Sequence, residues 1–258
     1  MIDIHCHILP GLDDGASSLT HSVEMARTAV EEGITTIIAT PHHANPYFDT
    51  TLEQMLAGVE SVNEALQAEK IPLVVKPGQE IRLFGELIDH LALGRSVPLT
   101  GEGRYVLVEF PTNSVPAYSE RLFYDLAVQG YTPVIAHPER NSVFLDKPHK
   151  LFEFVRNGAL SQITTSSVTG HFGKTIQAFT NQLMEANLAH ILASDAHNLQ
   201  ARTFRMKAAS DLIEEEQGTD LLYQFQENAE LLVRNQNLII HPPEPIQKKK
   251  KKRFSFFR

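Results

Sequence analysis

The sequence predicts an α/β chain built on a parallel sheet and closed as a barrel of the TIM type with one unit missing. Short apolar runs alternate with amphipathic stretches from one end of the 258 residues to the other, the pattern of repeated β-α units. About seven such units can be counted from their strand signals. Residues able to hold a cation recur at or just after the C-terminal ends of successive runs: His5, His42, Glu80, Glu109, His137 and Asp195. An open doubly wound sheet would spread those ends along an edge, whereas a barrel gathers them around one mouth.

In chain order, the strand signals fall at 2–6, 35–40, 72–76, 106–110, 132–136, 160–164 and 190–194. Between and after them lie helical patterns at 18–32, 51–68, 118–129, 147–157, 174–187 and 202–216. Gly33, Gly130 and Gly158 follow three of these patterns and suit left-handed caps. The segment 78–97 is less regular and predicts one short helix near 85–93.

Composition narrows the classes of function. At 42% hydrophobic and 21% charged residues, the chain has ample material for one core and reads as a single domain. The formal net charge of -8 argues against a nucleic-acid partner. A single cysteine, Cys6, excludes an intramolecular disulfide, and Met1-Ile2-Asp3-Ile4 lacks the features of a signal peptide. A cytoplasmic location is therefore expected. No run approaches the roughly 20 apolar residues of a membrane span.

Residues two apart on a strand share a face, so His5 and His7 project together while Cys6 points away. Asp195-Ala196-His197 repeats the device with a carboxylate and an imidazole. Either pair alone is a common accident in a chain with 12 histidines. Asp14 in the Gly11-Leu12-Asp13-Asp14-Gly15 loop, His42 in Thr40-Pro41-His42-His43, Glu80, Glu109 and His137 extend the set. Glu109 directly follows an apolar run, where a carboxylate is costly to bury without a partner. Singly, each of these fits a salt bridge or a satisfied histidine at a strand end. Jointly, nine nitrogen and oxygen ligand types at one end of the strands point to bound cations.

Nine ligands suit two or three ions that share bridging carboxylates. Three divalent ions against Asp14, Glu80, Glu109 and Asp195 leave an excess of about two positive charges, which suits a phosphate ester dianion. Mixed imidazole and carboxylate ligands without thiolate fit Mn2+, Fe2+ or catalytic Zn2+ better than structural zinc. Arg140 and Arg202 follow His137 and His197 closely, and their planar forks suit phosphoryl oxygens, with Arg205 as the substitute for Arg202.

The run Met1 to Gly15, together with Thr40-Pro41-His42, His137-Pro138-Glu139-Arg140 and Ser194-Asp195-Ala196-His197, resembles the PHP superfamily. The closer resemblance is to its bacterial protein-tyrosine phosphatase branch, of the YwqE and CpsB type, and it extends from Met1 to about Gln236. The resemblance implies a distorted (β/α)7 barrel and three metal ions, commonly manganese. It implies one ion on His5, His7, Glu80 and Asp195, a second on Glu80, Glu109 and His137, and a third on Asp14, His42 and His197. It further implies that Arg140 and Arg202 bind phosphate, and that the substrates are phosphotyrosines on bacterial tyrosine kinases controlling capsule and exopolysaccharide synthesis.

A cysteine-dependent phosphatase places an arginine six residues after its nucleophile, but Leu12 stands there relative to Cys6. The expected nucleophile is instead a metal-bridging hydroxide. A small-molecule phosphatase of the histidinol phosphate kind and a non-catalytic module binding a kinase or membrane are the competing readings. The division expected is a PHP phosphatase domain at 1–241 and a polybasic, aromatic tail at 242–258. The tail holds Lys248 to Lys252, Arg253, Phe254, Phe256, Phe257 and Arg258. It is either a solvated extension or a peripheral contact with the inner face of the membrane.

Overall fold

The computed structural model describes residues 1–246, so the basic and aromatic stretch from Lys248 onward lies outside the described residues. All seven expected strands form, and all are parallel to their neighbours. They are β1 (Ile2–Cys6), β2 (Thr36–Ala39), β4 (Val74–Lys76), β6 (Tyr105–Glu109), β7 (Thr132–Ala136), β8 (Leu160–Thr164) and β9 (Ile191–Ala193). Two short strands were not anticipated, β3 (His42–His43) and β5 (Glu80–Arg82), because neither contains an apolar run.

These two strands explain how the barrel is distorted. Proline cannot donate to a ladder, and Pro41 and Pro77 fall just after β2 and β4. Each strand stops and resumes a few residues later as β3 or β5. The lower halves pair as β1-β2-β4, and the upper halves continue as β3-β5-β6-β7-β8-β9. Counting β2 with β3 and β4 with β5 as interrupted strands leaves seven positions. The two edges meet at β1 and β9 through a parallel bridge between Cys6 and Ala196, with Asp195 N–H donating to His5 O at 2.8 Å and His7 N–H to Ala196 O at 2.9 Å.

Ten helices surround the strands among the described residues: α1 (Leu19–Glu31), α2 (Leu52–Ala68), α3 (Leu87–Ala92), α4 (Ser119–Val128), α5 (Ser142–Asp146), α6 (His149–Arg156), α7 (Thr165–Val168), α8 (Lys174–Glu185), α9 (Met206–Gln217) and α10 (Thr219–Val233). Ser18 caps α1 through the His21 N–H, and Thr51 with Gln54 forms a capping box on α2. Gly33, Gly130 and Gly158 take the left-handed conformation expected of them. Two helical expectations need correction. The pattern at 147–157 starts only at His149, after Pro148, while α9 starts at Met206, so Arg202 lies in the preceding turn. Helix α10 was missed altogether, although Leu222, Phe225, Ala229 and Leu232 give it a buried stripe at helical spacing.

Two apolar layers result. The outer one, between strands and helices, contains Cys6, Met25, Ile37, Val62, Phe110 and Phe154. The inner one contains Ile4, Ile38, Leu107, Val134, Leu160 and Ile191, joined by Ala229 and Leu232 of α10. A register shift between Asp3 and Cys6 accompanies the placing of Ile4 in the inner layer and Cys6 in the outer. Helix α10 thus closes the end of the barrel opposite the strand C-termini. After α10 the chain stays attached, with Glu244 N–H donating to Ala186 O at 2.8 Å and Ile246 packed on the outer layer.

Leu232 is sealed at that closed end. Leu232→Ala is expected to lower stability by about 2–5 kcal/mol, read as an earlier midpoint in urea. An unmoved midpoint would refute the role given to α10.

Candidate metal centre

The strand ends bring all nine proposed ligands to one mouth. His5 and His7 leave β1 with their Nε2 atoms 3.3 Å apart. Around them, His5 Nε2 lies 3.5 Å from Glu80 Oε1 and 3.4 Å from Asp195 Oδ1. His7 Nε2 lies 3.4 Å from Glu80 Oε2 and 3.5 Å from the same Asp195 oxygen. Metal–ligand bonds of about 2.1 Å in a tetrahedral arrangement leave donor atoms roughly 3.4 Å apart. The observed spacing is therefore that of donors around a cation. Consistently, His42 Nδ1, Asp195 Oδ1 and His197 Nε2 are buried without a hydrogen-bond partner among the described residues. Native interiors seldom leave such atoms unsatisfied. The donor set fits divalent ions.

Three groups of metal-capable side chains form among the described residues, each with donor atoms within 4.8 Å of one another: His5, His7 and Glu80; His7, Asp14, His42 and His197; and His42, Glu80 and Glu109. They overlap the three sets implied by the resemblance without reproducing them atom for atom. Asp14, His42 and His197 fall together, with His42 Nε2 and His197 Nε2 at 3.5 and 3.4 Å from Asp14 Oδ1. His137 sits beside Glu80, Nε2 to Oε1 2.7 Å, rather than within a group holding Glu109. Glu109 accepts from Arg82 at 2.9 Å, a partner that the sequence did not suggest. His43 faces elsewhere, with its Nδ1 3.2 Å from Thr50 O and 2.9 Å from Asp49, so His42 is the member of the pair in the cluster.

Residues that sequence reasoning passed over hold the ligands in place. Asp13 takes His7 Nδ1 at 2.7 Å on Oδ2, accepts the His42 N–H on the same oxygen at 3.0 Å, and accepts the Gly15 N–H on Oδ1. Gln162 Oε1 lies 2.9 Å from His5 Nδ1. Fixing the far ring nitrogen leaves Nε2 aimed at the cluster. The adjacency of Asp13 to Asp14 was a usable signal. Gln162, 157 residues from His5, offered none. Gly15 permits the loop to fold onto β1, since a Cβ there would meet His7 O at 2.1 Å.

Electrostatics follow from burial opposed by pairing. Burial alone would raise Glu80, but His5, His42 and His137 hold it well below the ordinary range. Asp195 behaves likewise, with Arg140 and Arg202 the largest opposing causes. Glu109 is pushed up by burial and by the charge of Glu80. Both His137 (φ 32°) and Asp195 (φ 53°) occupy the left-handed region, which costs a side-chain-bearing residue about 1–3 kcal/mol. Strain of this kind persists where the surroundings over-determine the conformation. Arg140 Nη1 and Arg202 Nη2 both reach Asp195 Oδ2, at 2.5 and 2.9 Å. Arg205, the substitute, instead stands at the residue before α9 and turns toward Gln200 O at 3.4 Å.

The model of the capsular polysaccharide synthesis family CpsB/CapC matches residues 1–240. The chain is 50% identical over 257 residues to the tyrosine-protein phosphatase YwqE of Bacillus subtilis (strain 168), covering 100% of both. It superposes with a TM-score of 0.94, at 50% identity and covering 96% of this chain and 100% of the other, on a chain from the crystal structures of YwqE from Bacillus subtilis and CpsB from Streptococcus pneumoniae, metal-dependent tyrosine phosphatases. A histidinol phosphate phosphatase from Lactococcus lactis, complexed with zinc, L-histidinol and phosphate, shares the fold at a TM-score of 0.54 and 14% identity, over 83% of this chain and 94% of that one.

If Asp13 orients His7, Asp13→Ala should weaken metal binding about 10- to 100-fold without unfolding the protein. Competition against a chromogenic chelator measures this, and wild-type affinity in the variant would remove Asp13 from the site.

Proposed function

Because this chain belongs to the CpsB/CapC family of capsular polysaccharide synthesis proteins, we propose that it is a metal-dependent protein-tyrosine phosphatase. It hydrolyses the phosphate monoester of phosphotyrosine in proteins. The observation that carries this reading is the joining of the histidines and the arginine pair at Asp195, whose one carboxylate meets three imidazoles and two arginines.

The ligand assignment we propose is His5, His7, Asp14, His42, Glu80, Glu109, His137, Asp195 and His197, holding Mn2+ in preference to Fe2+ or Zn2+. Divalent ions, when bound there, supply Lewis acidity that acidifies water and draws charge from phosphoryl oxygens. The chain's own residues do the rest. Arg140 and Arg202 present forked donors at the mouth, where they meet the phosphoryl oxygens and offset charge that develops during transfer. Cys6 is fully buried, and burial holds its thiol well above the ordinary value. A thiolate nucleophile is thereby removed from the chemistry. Tyrosine leaves as a phenolate of pKa near 10, so departure needs less acid assistance than that of an alkoxide.

We further propose that the substrate is a bacterial tyrosine kinase and its targets in capsule or exopolysaccharide synthesis. The enzyme would be cytoplasmic. Among the described residues no helix is long and apolar enough to cross a membrane. The basic run Lys248 to Arg253, followed by three phenylalanines, favours peripheral contact with anionic lipid, each basic residue contributing about 1 kcal/mol near such a surface.

His5→Ala, Glu80→Ala and His137→Ala should lose metal and activity together. Arg140→Ala should keep its metal while kcat/KM on a phosphotyrosine peptide falls about 100- to 1000-fold. Elemental analysis beside phosphate release decides it, and full turnover by chelator-stripped protein would overturn the proposal. For the tail, truncation after residue 246 should abolish salt-sensitive sedimentation with phosphatidylserine vesicles; equal binding by the truncated form would reject the membrane contact.

A further inference from the structure

A cavity of about 400 Å³ opens beside the metal centre and shares Glu109, His137, Arg140 and Arg202 with it. Its size lies within the range of small-ligand sites, roughly 300–1,000 Å³. The rest of its wall is largely apolar and includes Phe110, Phe144 and Phe172. We propose that Phe172 is a specificity-determining residue that packs against the phenyl ring of the phosphotyrosine side chain, while Arg140 and Arg202 take its phosphoryl group. This inference rests on the phosphotyrosine reading and goes beyond it by naming what selects an aryl ester.

Three observations carry it. Phe110 and Phe144 pack edge to face, with centroids 5.3 Å apart, and both are sealed in the outer core. Phe172 is the half-buried aromatic of the cavity and keeps surface free for a ligand. Second, the ring stands over the Arg140 guanidinium, 5.4 Å from Cζ to centroid, so the aromatic surface and the phosphate-binding fork are adjacent. An aromatic phosphate has that same adjacency of a charged head and an apolar ring. Third, the ring sits on a built loop. Gly170 (φ 75°) and Gly173 (φ 95°) turn the chain on either side of it. His171 N–H donates to Ser166 O at 2.9 Å, Gly173 N–H to Gly170 O at 2.9 Å, and Gln177 Nε2 to Val168 O at 2.9 Å. This loop follows β8 and α7, the part of the mouth that supplies none of the nine proposed ligands.

Another stretch of the cavity wall is equally fixed. Asn141 Nδ2 donates to Pro111 O at 2.8 Å, and Ser142 N–H donates to Thr112 O at 2.9 Å, tying the loop after β6 to the start of α5. A planar ring entering between this wall and Phe172 gains aromatic contact that an aliphatic ester cannot match.

The test compares metal-loaded wild type, Phe172→Ala and Phe172→Tyr by calorimetry with phenylphosphonate and methylphosphonate, alongside kinetics on a phosphotyrosine peptide. Phe172→Ala is expected to weaken phenylphosphonate about tenfold and to leave methylphosphonate within about twofold. It should lower kcat/KM on the peptide by a similar factor, mainly through KM, while Phe172→Tyr stays near wild type. Equal loss for both phosphonates, which would mean that the ring acts only by positioning Arg140, overturns the proposal, as does unchanged phenylphosphonate affinity. Should wild type fail to cleave the peptide, the functional reading falls, and the two phosphonates still decide the role of Phe172.

Discussion

Two carboxylates buried at the mouth of the barrel, Glu80 and Asp195, set the terms for the rest of this structure. Each is almost wholly removed from water, at 1% and 3% exposure. An isolated buried carboxylate is either protonated or provided with positive partners. Here Glu80 meets four imidazoles and Asp195 meets three imidazoles and two guanidiniums; burial lowers His137 and His197 to about 4, so the positive partners are His5, His7, His42 and the two arginines. These partners come from different strand ends, so the charges are satisfied only when the ends converge. The mouth is consequently a condition of the fold as well as its product. The left-handed backbone at His137 and Asp195 is where that convergence is forced against local preference.

The interruptions of β2 and β4 serve the same constraint. An uninterrupted strand continues its alternation, and its side chains keep the period of two. Pro41 and Pro77 end the lower ladder and let each chain re-enter it as β3 or β5, where His42 and Glu80 pair in register. Glu80 N–H donates to Pro41 O at 3.2 Å, so the break itself is hydrogen-bonded. The pairing of β1, β2 and β4 therefore supports the inner apolar layer below, and the resumed strands β3 and β5 place His42 and Glu80 above. Helix α10 completes this division by filling the lower end, where Ala229 and Leu232 join the inner layer and Asn228 Nδ2 donates to His190 O at 2.9 Å.

Much of this was legible in the sequence because it depends on composition at strand scale. Seven apolar runs became seven strands, and the polar residues at their ends came together. What escaped reading falls into physical classes. Strands β3 and β5 are two and three residues long and are too short to carry an apolar period that would announce them. Helix α10 lies beyond the last strand, outside the alternation used to find the others. Gln162 on β8 reaches His5 on β1, and Arg82 is the in-register neighbour of Glu109 on β6; pairing between residues far apart in sequence leaves no local signal. Arg202 was expected on a loop at the mouth, and only the start of the helical pattern, placed at residue 202, lay four residues too early. The turn before α9 holds it by its backbone, with Arg202 N–H donating to Asn198 Oδ1 at 3.1 Å.

Asp195 also shows how one residue can tie the cation-binding and anion-binding parts of a site together. Its Oδ1 faces His5, His7 and His197 at 3.4 to 3.5 Å, while its Oδ2 takes Arg140 and Arg202. The two oxygens of a carboxylate share one delocalised charge, so stronger engagement of one lessens the claim of the other. A cation, were it held on the imidazole side, would weaken the grip of Oδ2 on the arginines and free their forks. Conversely, an anion that drew the arginines away would return charge to Oδ1 and to the side facing the imidazoles. Binding linkage of this kind is reciprocal by thermodynamic necessity. The geometry at Asp195 thus joins two sides of the mouth through one carboxylate, so that His5 and His7 at the start of the chain and Arg202 near its end act on the same charge.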